Sequence, residues 1–456
     1  MRGAPSPGAY LKRTALSGAA RATSAPLLSL EKQLLHPGVK GLPITAPLPQ
    51  GAIGAQQWNV LRADTSFPVA VLKISAIQHN LEWMRRFCER HGAQLAPHGK
   101  TTMSPQLFSA QLANGAWGIT LASVTQAQTA FRYGVRRVLL ANQLVAPADI
   151  KAAVALMRQD SGFEFFALVD SSAGVARLSQ AVTRLGLERP LPLLVELGLA
   201  GKRAGCRTME EALAVAREVA AAPGLELAGI EGYEGLLTSK DQERDHQEVR
   251  DFVARLADLL RQADGEGLFT RERILLSAGG SAYFDFVANG FAQVKGLSRP
   301  VLPVLRSGCY LTNDHGHYQD MIAKLNAREG VTPEQGLRPA LEIWSMVLSR
   351  PEPTLAILSM GKRDASYDID LPRALVWHRP GAAEPGAMPE GCRIEKMNDQ
   401  HAYLRMPADA AIGAELAVGD LVGCGISHPC TTFDKWPLLL AVDDDYGVRH
   451  AINTFF

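Results

Sequence analysis

Three short stretches of this chain carry residue types and spacings that could do chemistry. Pro97-His98-Gly99-Lys100-Thr101 ends a short apolar run and sets one lysine where a strand would give way to its loop. An amine placed there, partly desolvated and near other cations, has its pKa drawn down toward the range of Schiff-base and proton-transfer chemistry. Pro97 fixes its own φ, and Gly99 widens the backbone choices just before the lysine. A surface lysine in a Pro/Gly turn is the plain alternative. Ser277-Ala278-Gly279-Gly280-Ser281 has the makings of a phosphate cradle: paired glycines let backbone N–H donors come close, and Ser281 adds a hydroxyl. By themselves these residues describe a tight turn equally well. Together with Lys100 they point to a ligand that bears both an aldehyde and a phosphate, which is pyridoxal phosphate.

The third stretch is Gly425-Ile426-Ser427-His428-Pro429-Cys430. An i,i+2 spacing in an extended segment turns imidazole and thiolate to one side, where both could approach a metal. Zinc suits both ligand types, and two protein ligands leave positions for substrate and water. A buried His-Pro-Cys turn is the alternative. His401 and Asp399, in Met397-Asn398-Asp399-Gln400-His401, are candidates to add a ligand or an orienting hydrogen bond. His315 and His317, in Asn313-Asp314-His315-Gly316-His317, form a similar pair that an exposed polar turn explains as well.

These residues need a large scaffold. The chain has 456 residues, 47% hydrophobic and 20% charged, enough for two domains. Its net charge of +1 and the lack of a basic stripe interleaved with aromatics argue against nucleic-acid binding. No apolar run approaches the roughly 18 residues of a membrane span. Six cysteines in this length do not make a disulfide framework, and a reducing cytoplasm fits. The first 30 residues hold Arg2, Lys12, Arg13 and Arg21 but no acid, and they read as a poorly ordered arm. An organelle-targeting segment is the other reading of that composition.

From residue 68 apolar runs alternate with helical periodicity. Val69–Leu72, Gln94–Pro97, Gly118–Ala122, Arg137–Ala141, Phe165–Asp170, Leu191–Leu197, Leu225–Gly232 and Ile274–Gly280 are the expected strands. Eight β/α repeats of this size predict an α/β TIM-type barrel over residues 67–330. Polar groups gather at the carboxyl ends of those runs, as a barrel active site requires: His98 and Lys100, Asn142, Asp170, Glu196, Tyr233, and the Ser277–Ser281 loop. Beyond residue 335 short strands and Pro/Gly-rich turns replace the repeat, predicting a mostly β domain over 331–456. Residues 1–49 form an N-terminal extension of unassigned role, and 50–66 are expected to add a strand to the β domain.

With these motifs in order, the chain resembles the D-serine dehydratase/D-threonine aldolase-like family of fold-type III pyridoxal-phosphate enzymes. The resemblance spans roughly residues 60–450. It rests on Pro97–Thr101, Glu196-Leu197-Gly198-Leu199 through Arg203-Ala204-Gly205, Gly229-Ile230-Glu231-Gly232-Tyr233-Glu234-Gly235, Gly279-Gly280-Ser281, Arg306-Ser307-Gly308-Cys309-Tyr310 and Ser427-His428-Pro429-Cys430. It implies an alanine-racemase-like barrel, a C-terminal β domain, a homodimer, and a divalent metal beside the cofactor. It further implies Lys100 as the cofactor-bearing lysine, Tyr233, Gly279, Gly280 and Ser281 around the cofactor, and His428 and Cys430 on zinc. His98, Arg203, Tyr310 and His401 become candidates for supporting roles. The implied reaction removes the β-hydroxyl of D-serine, D-threonine or a related D-amino acid to give a 2-oxo acid and ammonia. The alternatives are an aldolase yielding glycine and an aldehyde, and a cofactor-binding protein without catalysis.

Overall fold

A computed structural model describes residues 25–239, 241–409 and 411–456. The described residues divide into two compact units, one of residues 84–100 and 111–308, the other of residues 25–83, 101–110 and 309–456. The expected N-terminal arm lies almost wholly outside the described residues.

The first unit is built on eight parallel strands. Their order is Gln94–Leu95, Val301–Leu305, Ile274–Ala278, Leu225–Gly232, Leu191–Leu197, Glu164–Val169, Arg137–Gln143 and Ile119–Leu121. The two ends of this order meet. Trp117 N–H donates to Leu95 O at 2.7 Å, Thr120 N–H donates to Pro97 O at 2.9 Å, and His98 bridges Thr120 in parallel register. The sheet is therefore a closed barrel. Continuous apolar runs form these strands because both faces are covered, as in Leu191–Leu197, where every residue is buried. Ala96, Leu139, Phe166, Leu194, Leu275 and Val304 fill the barrel interior. Ser123, Ser171 and Thr208 stop the chain from continuing as strand by capping the following helices, Thr208 within a capping box with Glu211.

The barrel differs from the expected one in two strands. Val69–Lys73 belongs to the other unit, where it pairs antiparallel with Leu341–Glu352 and parallel with Leu438–Val442. A short buried run reads the same in either sheet, so periodicity could not assign it. The true eighth barrel strand is Val301–Leu305, which pairs with Ile274–Ala278 on one side and Gln94–Leu95 on the other. Pro303 interrupts that run and hides it from a strand count. Consequently Gly279-Gly280-Ser281 follows the seventh barrel strand, and Arg306 follows the eighth.

In the second unit a sheet runs Gly386–Ala387, Arg373–His378, Leu421–Gly425, Leu341–Glu352, Leu355–Leu358, Ala402–Arg405, Arg393–Met397, joined by Val69–Lys73, Leu438–Val442 and Val448–Asn453. Its core gathers Ile53, Val60, Val69, Val71, Trp344, Leu421, Leu440 and Val448. Residues 50–66 contribute Ile53 and Val60 to that core and a bridge from Asn59 to Gly447, but short 3-10 turns rather than a full strand. Upstream, Ala25–Glu31 is a helix with Leu27 and Leu30 buried. No helix among the described residues is long and apolar enough to cross a membrane.

Barrel closure sets a steric test. A Cβ on Gly229 would lie 1.9 Å from Leu275 O on the neighbouring strand. Gly229→Ala is expected to destabilise by roughly 3 kcal/mol in urea unfolding, because the clash is with backbone. Gly265→Ala, with open space around it, is the control and should stay within about 0.5 kcal/mol of the parent.

Candidate functional site

In the barrel unit the candidate residues sit at the carboxyl ends of the strands. Lys100 is exposed in the 3-10 turn Gly99–Thr101, two residues after His98. The His98 backbone is held by Arg306 O, which its N–H meets at 3.1 Å. Burial holds the His98 imidazole well below its usual pKa, and the cations Arg306, Lys100 and Arg203 add to the effect. It is therefore a neutral ring, and its Nδ1 is buried without a hydrogen-bond partner.

Behind His98 lies a buried ionic group. Arg306 pairs with Glu231, and its Nη2 donates to Gly232 O at 2.9 Å. Both side chains are at most 2% exposed, which is tolerable only because each charge has a partner. Burial pushes Glu231 up to about 7 against the pull of Arg306, with Glu196 pushing the same way. Glu196 is itself raised by burial and receives a hydrogen bond from Gln143. Arg306 Nε and Glu231 Oε2 remain unpartnered. Arg203 stacks on the Tyr233 ring with its guanidinium carbon 4.6 Å from the centroid.

The glycine loop shows an unexpected occupant. Gly279 N–H and Gly280 N–H donate to the two carboxylate oxygens of Glu234 at 3.0 and 2.6 Å. Gly279 has φ +96°, a conformation that permits this turn and excludes most side chains. Ser277 donates to Val304 O and is structural, whereas Ser281 Oγ lies 3.4 Å from Ser307 Oγ. A hydroxyl pair and the backbone beyond Gly280 are thus the polar groups next to the loop. Asp170 accepts from Gly205 N–H, and exposed Asn142 donates to Ala122 O; both are loop-holding contacts.

In the second unit His428 and Cys430 come together, but not through an extended segment. Strand Leu421–Gly425 has ended, and Cys430 opens the short helix Cys430–Phe433. Asp368 meets His428 Nδ1 at 2.6 Å and also accepts from Thr431 Oγ1 at 2.7 Å. Cys430 Sγ lies 3.4 Å from Thr101 Oγ1 and 3.7 Å from Cys309 Sγ. Burial alone would lower His428, but its hydrogen bonds to Cys430 and Asp368 prevail and push it up to about 9. Cys430 is held well below the usual thiol range by hydrogen bonds from Cys309, His428 and Thr101, against burial. Both directions favour the charged forms of the pair.

His401 is exposed in the turn of the Arg393–Met397/Ala402–Arg405 hairpin, and Asp399 lies in that turn too. The carboxylate on His428 is instead Asp368, sixty residues away in sequence. His315 is half-buried, and desolvation pushes it down to about 4. His317 is half-buried next to Tyr318, whose ring is 6.4 Å from that of His428. Tyr310 is buried in the turn Cys309–Leu311. Among the described residues no three His, Cys, Asp or Glu side chains form a ready-made metal site. Two donors, His428 and Cys430, remain, with Asp368 on the far ring nitrogen, the arrangement that orients a metal-binding imidazole.

Residues 72–292 match the alanine racemase N-terminal domain, and residues 340–442 match the putative serine dehydratase domain. A D-threonine aldolase of Arthrobacter sp is 27% identical over 383 residues, covering 84% of this chain and 90% of that protein. A D-threo-3-hydroxyaspartate dehydratase of Delftia sp. (strain HT23) is 32% identical over 151 residues, 33% of this chain and 37% of that one. A solved cysteine-to-alanine variant of D-threo-3-hydroxyaspartate dehydratase in the metal-free form superposes with a TM-score of 0.68 at 23% identity, covering 88% and 99% of the two chains.

The glycine loop makes its own prediction. A Cβ on Gly280 would lie 2.8 Å from Tyr233 Cε2 and 3.4 Å from Glu234 Oε1. Overpacking of about 1–3 kcal/mol there should weaken pyridoxal phosphate retention about ten- to hundredfold in Gly280→Val. Equilibrium dialysis of the folded variant measures it; unchanged affinity would remove this loop from the phosphate site.

Proposed function

The chain belongs to the D-serine dehydratase/D-threonine aldolase-like family of fold-type III pyridoxal-phosphate enzymes, and from that premise we propose a lyase acting on β-hydroxy D-amino acids, releasing a 2-oxo acid and ammonia. One observation carries it. Thr101, covalently next to Lys100, is the residue whose hydroxyl meets the sulfur of Cys430. A lysine suited to covalent amine chemistry and a thiolate–imidazole donor set are thereby tied to adjacent residues of one backbone.

The barrel residues fit pyridoxal phosphate. The unpartnered buried His98 Nδ1, Arg306 Nε and Glu231 Oε2 leave polar capacity at the strand ends, and the Ser281 and Ser307 hydroxyls lie side by side. Lys100 would hold the cofactor, Ser281 with the loop backbone its phosphate, and Tyr233, braced by Arg203, its ring. When bound, the cofactor supplies an electron sink for the pair left at Cα. Lys100 Nζ would take the Cα proton. His98 stays neutral beside it and offers no competing positive charge.

His428 and Cys430 fit zinc in donor chemistry, a soft thiolate and an imidazole fixed by Asp368. Zinc there would polarise the substrate's β-hydroxyl and make it a better leaving group. Asp368 and Thr431 keep the imidazole in one orientation. The aldolase reading stays as the second proposal because relatives matched over most of the chain are named D-threonine aldolase and 3-hydroxy-D-aspartate aldolase. It needs the same lysine and donor set, with the β-hydroxyl losing a proton instead of leaving.

Borohydride reduction followed by peptide mapping is expected to put the phosphopyridoxyl group on Lys100, and Lys100→Ala should lose turnover. Exclusive recovery on another lysine would defeat the assignment. A panel of D-amino acids, with 2-oxo acid, ammonia, glycine and aldehyde measured in the same reactions, separates the two activities. We expect 2-oxo acid and ammonia, lost on chelation and restored by zinc. Dominant glycine and aldehyde would establish the aldolase. Undiminished 2-oxo acid formation after verified metal removal would refute the zinc-assisted leaving group.

A further inference from the structure

Cys309 and Cys430 are 121 residues apart in sequence, yet their sulfurs lie 3.7 Å apart within one unit with no disulfide between them. Each opens a short helical turn, Cys309–Leu311 and Cys430–Phe433. Reaching the roughly 2.05 Å of an S–S bond requires the sulfurs to close by about 1.7 Å, a movement within reach of side-chain rotation. Access is ordered as well: Cys430 is partly exposed, and Cys309, 5% exposed, is buried. The other cysteines are poor competitors. Burial pushes Cys88 and Cys206 up to about 12 and raises Cys424 further, and Cys206 Sγ is taken by Asp170 O. Cys392 is raised too.

We propose that Cys309 and Cys430 are a reversible redox site, in which peroxide oxidises Cys430 and Cys309 closes an intramolecular disulfide. The Cys430 sulfur attacks one peroxide oxygen, the O–O bond breaks, and one water leaves a sulfenic acid behind. The Cys309 sulfur then attacks the Cys430 sulfur, the S–O bond breaks, and a second water carries away the remaining thiol proton. Two thiols lose two electrons and two protons, and the peroxide, which accepts them, ends as two waters. Bond formation itself depends only on the thiol pair. Its consequence for catalysis rests on the zinc reading above: a disulfide-bound Cys430 is no longer a ligand, so the enzyme would be switched off until a dithiol reduces it.

The test exposes the full-length, cofactor-loaded protein to hydrogen peroxide and follows it by non-reducing peptide mapping, thiol titration and zinc release. The expected result is a linked Cys309–Cys430 peptide, loss of two thiols per chain and loss of activity, all reversed by dithiothreitol. Cys309→Ser should give no link, and its Cys430 should pass to the sulfinic acid, which dithiothreitol does not reverse. Cys309→Ala repeats the measurement should serine disturb the fold. Wild-type Cys430 reaching the sulfinic acid while Cys309 stays a free thiol overturns the proposal. Bound zinc with no link at any dose overturns it and leaves the zinc reading standing. A link formed in protein that neither holds nor releases zinc sustains the redox site and removes the zinc reading.

Discussion

Closure of the eight-stranded barrel is the constraint on which the catalytic end depends. The seam is made by Trp117 and Thr120 donating to Leu95 and Pro97 on one side and by Val301–Leu305 pairing with Gln94–Leu95 on the other. That pairing makes the first and eighth strands neighbours. It brings His98 N–H onto Arg306 O, although the two residues are more than two hundred apart in sequence. Lys100 leaves the first strand two residues later, so its surroundings are fixed by the seam rather than by its own loop.

The strand ends concentrate charge that the barrel interior cannot solvate. Arg306 and Glu231 neutralise each other, and Glu196, Gln143 and Arg203 surround them with further polar groups. A buried pair of this kind contributes little net stability compared with apolar packing, because desolvation offsets most of the attraction. It fixes a polar surface that also carries the unpartnered atoms of His98, Arg306 and Glu231. Neutral His98 fits the same pattern, since another positive charge next to Lys100 and Arg306 would be costly.

The same economy of charge governs the glycine loop and the thiol cluster. Glu234 accepts from both glycine N–H groups, an anion already seated on donors that sequence alone assigns to phosphate. It gives the loop a defined shape and leaves the Ser281 and Ser307 hydroxyls as its neighbouring polar groups. At the thiol cluster, Asp368 holds the imidazole of His428 and Cys309 supports the thiolate of Cys430. That places the two sulfurs 3.7 Å apart next to the His428–Asp368 pair.

Local sequence determined the barrel class, most of its strands, the lysine at a strand end, the glycine loop and the His-x-Cys pair. Strands buried on both faces and helices with caps leave strong local signatures, and the chemical motifs are contiguous. Tertiary structure alone decided which sheet took Val69–Lys73, because a short buried run carries no mark of its partner. It alone revealed Val301–Leu305, since Pro303 breaks the run that a strand count seeks and only the hydrogen bonds to both neighbours override it. It replaced His401 by Asp368 at His428, placed Glu234 on the glycine loop and brought Cys309 to Cys430. Those partners are distant or belong to different strands, and hydrogen bonds between them arise only after folding has closed the intervening chain.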